Sequence, residues 1–239
     1  MSRWSDGLPT VKVAQGSVAR AITFVYPYYQ NAAFLERQIG IWRAYAADLR
    51  EQLRIILVDD GSPTPAVLPA VRPCSMRLFR IETDVRWNWL AARNIGMHHA
   101  AEGWCLMTDM DHVVPEATLH SLVYGGLDAR LVYAFLREEH TGARVQPHSA
   151  SLLLTRATFW RTGGYDEALS GYYGTDGDFR RRLMKVSPWM VLAHPLIRFE
   201  FVADSSTTAY LRKQPEDQAA QRLIAQRPAN WRPKALTFP

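Results

Sequence analysis

Short, nearly uninterrupted apolar segments separated by a helical pattern constrain the fold of this chain most strongly. Residues 21–26 (AITFVY) and 55–58 (IILV) are rich in β-branched and aromatic residues. Such runs are typical of strands that are buried on both faces of a parallel sheet. We expect the first strand to end at Pro27, because proline removes a backbone donor.

Between these two strands, apolar residues recur every three or four positions, which predicts an amphipathic helix. The positions are Leu35, Ile39, Trp42, Ala46, Leu49 and Leu53. Further strands are predicted at 76–81 and 104–108, with a helix at 89–100 between them. This β-α-β alternation predicts an α/β fold with a Rossmann-like nucleotide-binding half built on a mostly parallel sheet.

The second half of the chain is less regular, and we expect it to bind the acceptor. Strands are predicted at 131–136 and 151–154 around a polar loop, and helices at 178–185 and 216–226. We divide the chain into a leader segment (1–18), a main domain (19–203) and a C-terminal helix with a basic extended tail (204–239).

The composition favours a soluble globular protein, and its positive charge fits either a phosphate-bearing ligand or a solvated basic surface. Hydrophobic residues make up 48% of the 239 residues, charged ones 21%, and the formal net charge is +5. The N-terminal residues are polar, and no run approaches the roughly 18 apolar residues of a membrane span. Cys74 and Cys105 lack the spacing of a disulfide framework or a thiolate metal site. We therefore expect a cytoplasmic protein.

Two acidic clusters follow predicted strands. Asp59 and Asp60 come directly after the second strand, and Asp109 and Asp111 after the fourth. Open α/β sheets bind their ligands at the carboxyl ends of parallel strands. Alternate side chains of an extended Asp-x-Asp share one face, and two carboxylates that share a site repel unless a cation lies between them. Mg²⁺ or Mn²⁺ bridging to a diphosphate would meet that need.

Six motifs occur in an order that resembles the inverting GT-A glycosyltransferases of family 2. They are FVYPYYQN (24–31), LVDDGS (57–62), WNWLAARNIG (87–96), LMTDMDHVVP (106–115), TGGYDE (162–167) and GTDGDFRRRL (174–183). The later motifs are also similar to those of the β-1,4-galactosyltransferases. The resemblance spans about residues 20–200 and implies transfer of a sugar from a nucleotide sugar, with UDP-sugars as first candidates and Mn²⁺ or Mg²⁺ as the cofactor.

The resemblance also implies roles for individual residues. The residues expected to bind the nucleotide are Tyr26, Pro27, Asp60, Arg93, Asn94 and Asp109. Asp111 would be the principal metal ligand, with His194 as a distal one, and Trp89 and Tyr172 could stack on a sugar. Asp176 would be the general base that deprotonates the acceptor hydroxyl.

This chain departs from the family pattern just before that base. Family members carry Glu-Asp-x-Asp there, whereas this sequence has Thr175 in place of the glutamate. Asp178, two residues after Asp176, is expected to cap the N-terminus of its helix or to interact with the helix dipole. The missing glutamate leaves the positioning of the acceptor open.

Several rival functions have weaker support. The segment after the first strand lacks the glycine-rich loop of nucleotidyltransferases and of dinucleotide-dependent oxidoreductases. A catalytically degenerate module that only binds nucleotide sugars stays open. For the acceptor, we place a saccharide or glycoconjugate first. A modified base in DNA or RNA comes second, because Arg232 and Lys234 lie in a basic tail.

Overall fold

The computed structural model describes residues 8–198, 215–228 and 230–234, which form one twisted sheet flanked by helices. Its strands are β1 (Ile22–Tyr28), β2 (Leu53–Asp59), β3 (Ser75–Arg80), β4 (Trp104–Met107), β5 (His112–Val113), β6 (Val132–Glu139), β7 (Arg144–Val145), β8 (Leu152–Thr155) and β9 (Trp189–Arg198). Its helices are α1 (Ala32–Ala44), α2 (Ala47–Gln52), α3 (Trp89–His99), α4 (Glu116–Tyr124), α5 (Arg156–Arg161), α6 (Asp176–Val186) and α7 (Pro215–Ala225).

The sheet has a parallel half and a mixed half. Its order is β3-β2-β1-β4-β8-β6-β9-β5, with β7 paired to β6. All pairs among β1 to β4 are parallel, whereas β8 is antiparallel to both β4 and β6. The α/β fold and the parallel nucleotide-binding half expected from the apolar runs are confirmed.

The order in which strands are added to the sheet changes direction between β1 and β4. It first builds outward from β1 to β2 and β3, and then returns through α3 to place β4 on the other side of β1. Ligands of open α/β sheets bind at such a switch point, beyond the carboxyl ends of the strands. The segments that follow β1, β2 and β4 therefore meet at one edge of the sheet.

The expected end of the first strand at Pro27 is wrong, since β1 continues to Tyr28. Val25 accepts a hydrogen bond from Thr108 on the β4 side, and Tyr28 accepts one from Asp60 on the β2 side. Because backbone groups alternate in direction along a strand, Pro27 faces the β4 side, where β4 has already ended. The missing N–H of Pro27 therefore removes no ladder bond.

The single helix expected over residues 35–53 is two helices, with a break at Tyr45 and Ala46. Tyr45 has an extended backbone, and its hydroxyl donates to the Val114 carbonyl at 2.5 Å. Leu53 is the first residue of β2 rather than the last of a helix. A tertiary contact from the segment before α4 thus sets this corner, and the helical period alone does not reveal it.

The mixed half contains elements that the sequence pattern does not predict. These are α4, α5, β5, β7 and the long strand β9. The polar loop expected between residues 137 and 149 is partly a hairpin, because β6 extends to Glu139 and pairs with β7.

The helix expected near residues 216–226 is present as α7. Its Ala220 and Ile224 are buried in the same hydrophobic cluster as Phe179 and Leu183 of α6. The division of the chain at 203/204 lies outside the described residues, as do residues 1–7 of the leader, so the domain boundaries stay predictions. In the described part of the chain, none of the helices has the length and apolar character that a membrane crossing requires.

Candidate active site

A cavity of about 330 Å³ opens at the switch point between β1 and β4. Its walls come from the ends of β1, β2 and β4, the start of α3, and the segments before β8 and α6. Seven of the residues that the sequence assigned to the site line it, namely Pro27, Asp60, Trp89, Arg93, Asp109, Asp111 and the expected base Asp176. Motifs that are more than 100 residues apart in sequence thus share one space.

The two carboxylates after β2 have different surroundings. Asp59 accepts backbone hydrogen bonds from Ser62 and Ala66 at 2.9 and 2.8 Å, which fixes the turn after the strand. Asp60 is buried at the cavity wall, and its Oδ1 has no hydrogen-bond partner among the described residues. Burial, with the nearby charges of Asp59 and Asp84, raises the pKa of Asp60 to about 8, although hydrogen bonds from Asn88 oppose that rise. Asp60 is therefore a buried carboxyl group of the cavity wall with one oxygen that lacks a hydrogen-bond partner among the described residues.

Arg93 holds the first acid of the Asp-x-Asp segment. Its Nη2 donates to Asp109 Oδ1 at 2.5 Å, its Nη1 donates to the Tyr165 hydroxyl at 3.3 Å, and its guanidinium lies 4.7 Å from the Trp89 ring centroid. Burial at the cavity floor would raise the pKa of Asp109, but the charges of Arg93 and of the nearby histidines outweigh it and lower that pKa. Asp109 is therefore ionised at neutral pH.

A group of potential metal-binding side chains surrounds Asp109. The ligand atoms of Asp109, His112 and His148 lie within 4.8 Å of one another. Asp111 accepts from His112 Nδ1 at 2.7 Å, and the buried Nε2 of His112 has no hydrogen-bond partner among the described residues. Carboxylate oxygens and neutral imidazole nitrogens are suitable donors for Mn²⁺ and other divalent ions. The residues present therefore fit the cofactor that the resemblance implies.

His148 comes from the hairpin loop before β8. Ser151 Oγ lies 2.9 Å from His148 Nδ1 and also 2.7 Å from Thr108 Oγ1, while Nε2 is 3.5 Å from Asp109 Oδ2. Burial, together with the nearby His112 and Arg93, lowers the pKa of His148 to about 4, although Asp109 and Asp111 oppose this. Its imidazole is therefore neutral at physiological pH.

Asn94 organises the wall of the cavity without lining it. It is fully buried, donates to the Tyr165 carbonyl and to Glu167, and accepts from the Tyr165 N–H at 2.8 Å. The turn it holds contains Gly164 at φ +67, where an added Cβ would lie 2.9 Å from the Asn94 side-chain oxygen. The TGGYDE motif is thus a structural partner of α3.

The acids at the start of α6 have separate environments. Asp176 is the first residue of the helix and lines the cavity. Asp178 is buried and pairs with Arg182 at 3.0 Å and with Arg227 at 2.9 Å. Asp176 is therefore the acid of this motif that faces the cavity.

Three residues expected at the site lie elsewhere. Tyr26 is fully buried in the core, where its ring centroid is 5.6 Å from that of Trp42. His194 Nε2 accepts the Val11 N–H at 3.1 Å, and His194 is not among the described residues that line the cavity. Tyr172 packs against the core, whereas its neighbour Tyr173 lines the cavity.

Sequence reasoning missed several cavity residues. Tyr28, Tyr29, Trp87 and Tyr173 line it, as do His148, Ser149 and Ala150. Trp87 is the first residue of the motif WNWLAARNIG, and Tyr173 directly precedes GTDGDFRRRL. Their positions in the sequence could therefore have indicated that both lie at the site. His148 follows β7 and is brought to Asp109 only by the pairing of β8 with β4.

The comparisons with known proteins decide the family. The family model described as "Glycosyl transferase family 2" matches residues 23–180, which is more than half of the chain. The chain belongs to glycosyl transferase family 2. Of the described residues that line the cavity, all belong to the motifs quoted above or adjoin them except Val85, His148, Ser149 and Ala150.

Solved structures confirm the GT-A fold of this family 2 member. TarS of S. aureus (residues 1–349, in complex with UDP-GlcNAc) matches with a TM-score of 0.64 and 14% identity over 86% of this chain and 65% of that chain. The mannosyltransferase PcManGT from Pyrobaculum calidifontis (with GDP-Man and Mn²⁺) matches with a TM-score of 0.55 and 17% identity over 84% and 62%. The chain spans less than two thirds of the length of these structures. Comparison with curated protein sequences gives no match.

Proposed function

We propose that this chain is a metal-dependent, inverting glycosyltransferase that uses a nucleoside diphosphate sugar, with UDP-sugars as first candidates. The observation that carries the proposal is the single cavity in which Asp60, Asp109, Asp111 and Asp176 meet. TarS is described in complex with UDP-GlcNAc and UDP, and PcManGT with GDP-Man and Mn²⁺, which supports a nucleotide-sugar donor.

The donor nucleotide would lie along the ends of β1 and β2. Pro27 and Tyr28 line the cavity there, and Asp60 at its wall would form a hydrogen bond with the base or the ribose. Arg93 holds Asp109 in one orientation on the cavity floor, so that carboxylate is already placed before the ligand enters.

A divalent cation would bind at the cluster of Asp109, His112 and His148, with Asp111 either as a direct ligand or as the carboxylate that orients His112. When bound, such an ion neutralises the negative charge of the leaving diphosphate. Neutral His148 and ionised Asp109 are both in the protonation state that a metal ligand needs.

Asp176 would accept the proton of the acceptor hydroxyl. Its side chain lines the cavity from the start of α6. The acceptor oxygen would then attack the anomeric carbon from the side opposite the diphosphate, which inverts its configuration. Asp176 would be the side chain that takes up the proton, and no covalent nucleophile is required.

A saccharide or glycoconjugate remains our first candidate for the acceptor. The side of the cavity next to Asp176 carries Trp87 and Tyr173, and flat aromatic faces suit sugar rings. Two arginines of the basic tail have intramolecular roles, since Arg227 pairs with Asp166 and Asp178, and Arg232 donates to the Arg161 carbonyl. Fewer cations are therefore available for the phosphates of a nucleic acid.

The test is a hydrolysis screen of the purified protein against a panel of UDP-, GDP- and dTDP-sugars with Mn²⁺. We expect release of the nucleoside diphosphate from one donor class, and loss of that release with EDTA. Binding of nucleoside diphosphates without release from any sugar donor would instead favour the degenerate binding module.

A further inference from the structure

Helix α7 lies beyond the residues that the family model matches, yet it contacts the segment that leads to Asp176. Asp217 of α7 is 5% exposed, and its Oδ1 accepts the backbone N–H of Tyr173 at 2.7 Å. Gln221, one turn later, donates to the Gly174 carbonyl at 2.6 Å. The helix therefore binds the backbone of two neighbouring residues that line the cavity.

Asp217 also forms an ion pair with Arg86, which contacts the same segment. The two terminal nitrogens of Arg86 lie 3.4 and 3.5 Å from the two carboxylate oxygens of Asp217, and Nη1 also donates to the Gly171 carbonyl at 2.8 Å. Asp217 and Arg86 thus hold residues 171–173 between them. Such forked pairing fixes geometry as well as charge.

The held segment needs an external constraint. Gly171 and Gly174 have φ values of +94° and +75°, and glycine is the residue with the most backbone freedom. Next to the ion pair, Trp87 has a φ of 52°, which is unfavourable for a bulky side chain, and its ring centroid lies 5.1 Å from that of Tyr173. Strained residues persist only where their surroundings hold them, and they cluster at functional sites.

A second contact holds the other side of Asp176. Arg227, just after α7, donates to Asp178 at 2.9 Å and to Asp166 at 2.5 Å, and its guanidinium lies 3.6 Å from the Trp231 ring centroid. Asp176 therefore lies between two points that are held by the same C-terminal segment: residues 173–174 before it and Asp178 after it.

We infer that α7 is a brace that positions Asp176 for catalysis, and that Asp217 is its central positioning residue. This inference rests on the proposed role of Asp176 as the general base. Asp217 itself is covered by protein and acts through the backbone of residues 171–174. Small displacements of a reacting group cost large factors in rate, so the brace is expected to affect turnover more than nucleotide binding.

The experiment compares Asp217→Asn with Arg222→Gln, a control on the exposed side of the same helix. Three quantities are measured: kcat with the nucleotide sugar that the hydrolysis screen identifies, the Kd of its nucleoside diphosphate by calorimetry, and amide hydrogen exchange of residues 171–176. We expect Asp217→Asn to lower kcat by about tenfold or more, to change the Kd by less than about twofold, and to accelerate exchange in that segment. Arg222→Gln should leave all three unchanged.

Two results would overturn the inference. One is faster exchange over residues 171–176 with an unchanged kcat, since the helix would then only stabilise the fold. The other is an equal loss of nucleotide affinity and of kcat, which would place the effect at the donor site. If Asp217→Asn lowers the Tm strongly, Gln221→Ala at an exposed position carries the same comparison. If the wild type releases no nucleoside diphosphate from any donor, both the proposed function and the inference about α7 fail. If the wild type is active and Asp217→Asn keeps its kcat, only the inference about α7 fails.

Discussion

Arg93 and Asp109 form a buried-to-exposed ion pair on the floor of the cavity. The Arg93 side chain has no exposed surface, whereas 38% of the Asp109 side chain is accessible, and the two groups meet at 2.5 Å. One oxygen of Asp109 is thereby fixed by the protein, and the other faces His148. The pair joins α3 to the segment after β4. The same contact therefore helps to position α3 and holds a negative charge at the cavity floor.

The first prediction concerns this pair. Arg93→Met should lower the free energy of unfolding by about 3–4 kcal/mol. This is the lower part of the range for removing one partner of a buried ion pair, because water can reach the remaining Asp109. Arg93→Lys should rescue little, because one ammonium group cannot reach Asp109 and Tyr165 while lying on Trp89.

Urea denaturation followed by circular dichroism measures the effect. Arg54→Gln, at an exposed position of β2, is the matched control and should stay within about 0.5 kcal/mol of the wild type. A stability of Arg93→Met equal to that of the control would show that the pair does not hold the cavity floor.

The second prediction concerns the pH dependence of stability through Asp60. Its folded-state pKa of about 8 is higher than the unfolded value of about 3.9. The folded state therefore binds the extra proton between these values, and the free energy of unfolding falls as pH rises from about 4 to about 8. Asp60→Asn should become more stable relative to the wild type across that range, by up to about 1.4 kcal/mol per pH unit.

The difference between the two proteins is the quantity to measure. His148 changes stability in the opposite direction, because its lowered pKa costs stability as pH falls from about 6.5 to about 4. That contribution is common to wild type and variant and cancels in the difference. A difference in stability that does not change with pH would contradict the raised pKa of Asp60.

The third prediction concerns Gly164 in the turn that Asn94 holds. Gly164→Ala should destabilise the protein by more than about 2 kcal/mol, because it adds a left-handed strain of about 1–2 kcal/mol to a close contact with Asn94 and Trp160. Gly142→Ala is the control, since it has a φ of +85° but no atom within 4 Å of the added Cβ. Equal losses in the two thermal unfolding experiments would mean that the contact with Asn94 has no cost.

The fourth prediction concerns the metal. Mn²⁺ binding to the protein without donor, followed by electron paramagnetic resonance, should weaken at least about tenfold in His148→Gln and in Asp109→Asn. Asp111→Ala should remove Mn²⁺-supported binding of the nucleoside diphosphate. His194→Gln is the control, because His194 Nε2 already accepts the Val11 N–H. Unchanged Mn²⁺ affinity in His148→Gln would exclude that imidazole as a ligand.

The parallel half of the fold could be predicted from the sequence because its strands are continuous apolar runs. Four strands and α3 lie within a few residues of the predicted positions. In the mixed half, β6, β8, α6 and α7 also lie near their predicted positions, but the other elements could not be predicted, for physical reasons that are visible in them. Strand β9 is half-buried without a regular alternation and contains Pro195, and α5 is only six residues long. The position of β9 depends on its pairing with β6, and that of α5 on its packing against β8. No local sequence pattern indicates either contact.

The site shows the same division. Asp60, Arg93, Asp109, Asp111 and Asp176 line the cavity, as the motifs led us to expect. These residues lie within or close to strands and helices whose positions the sequence predicts. Tyr26 lies inside the core because the cavity opens only beyond the end of β4. His148 escaped notice because it reaches Asp109 through the hairpin between β6 and β8, which the sequence shows only as a polar loop.

The most direct test of the central claim is Asp176→Asn, which keeps the shape of the side chain and removes its basicity. Transfer should fall by about 10²–10⁴-fold, the usual contribution of a general base. The Kd of the nucleoside diphosphate in Mn²⁺ should change by less than about twofold, because we propose that Asp176 acts on the acceptor and not on the donor. Both are measured on one preparation, by product release and by calorimetry. Full transfer activity in Asp176→Asn, or loss of nucleotide binding, would contradict the assignment.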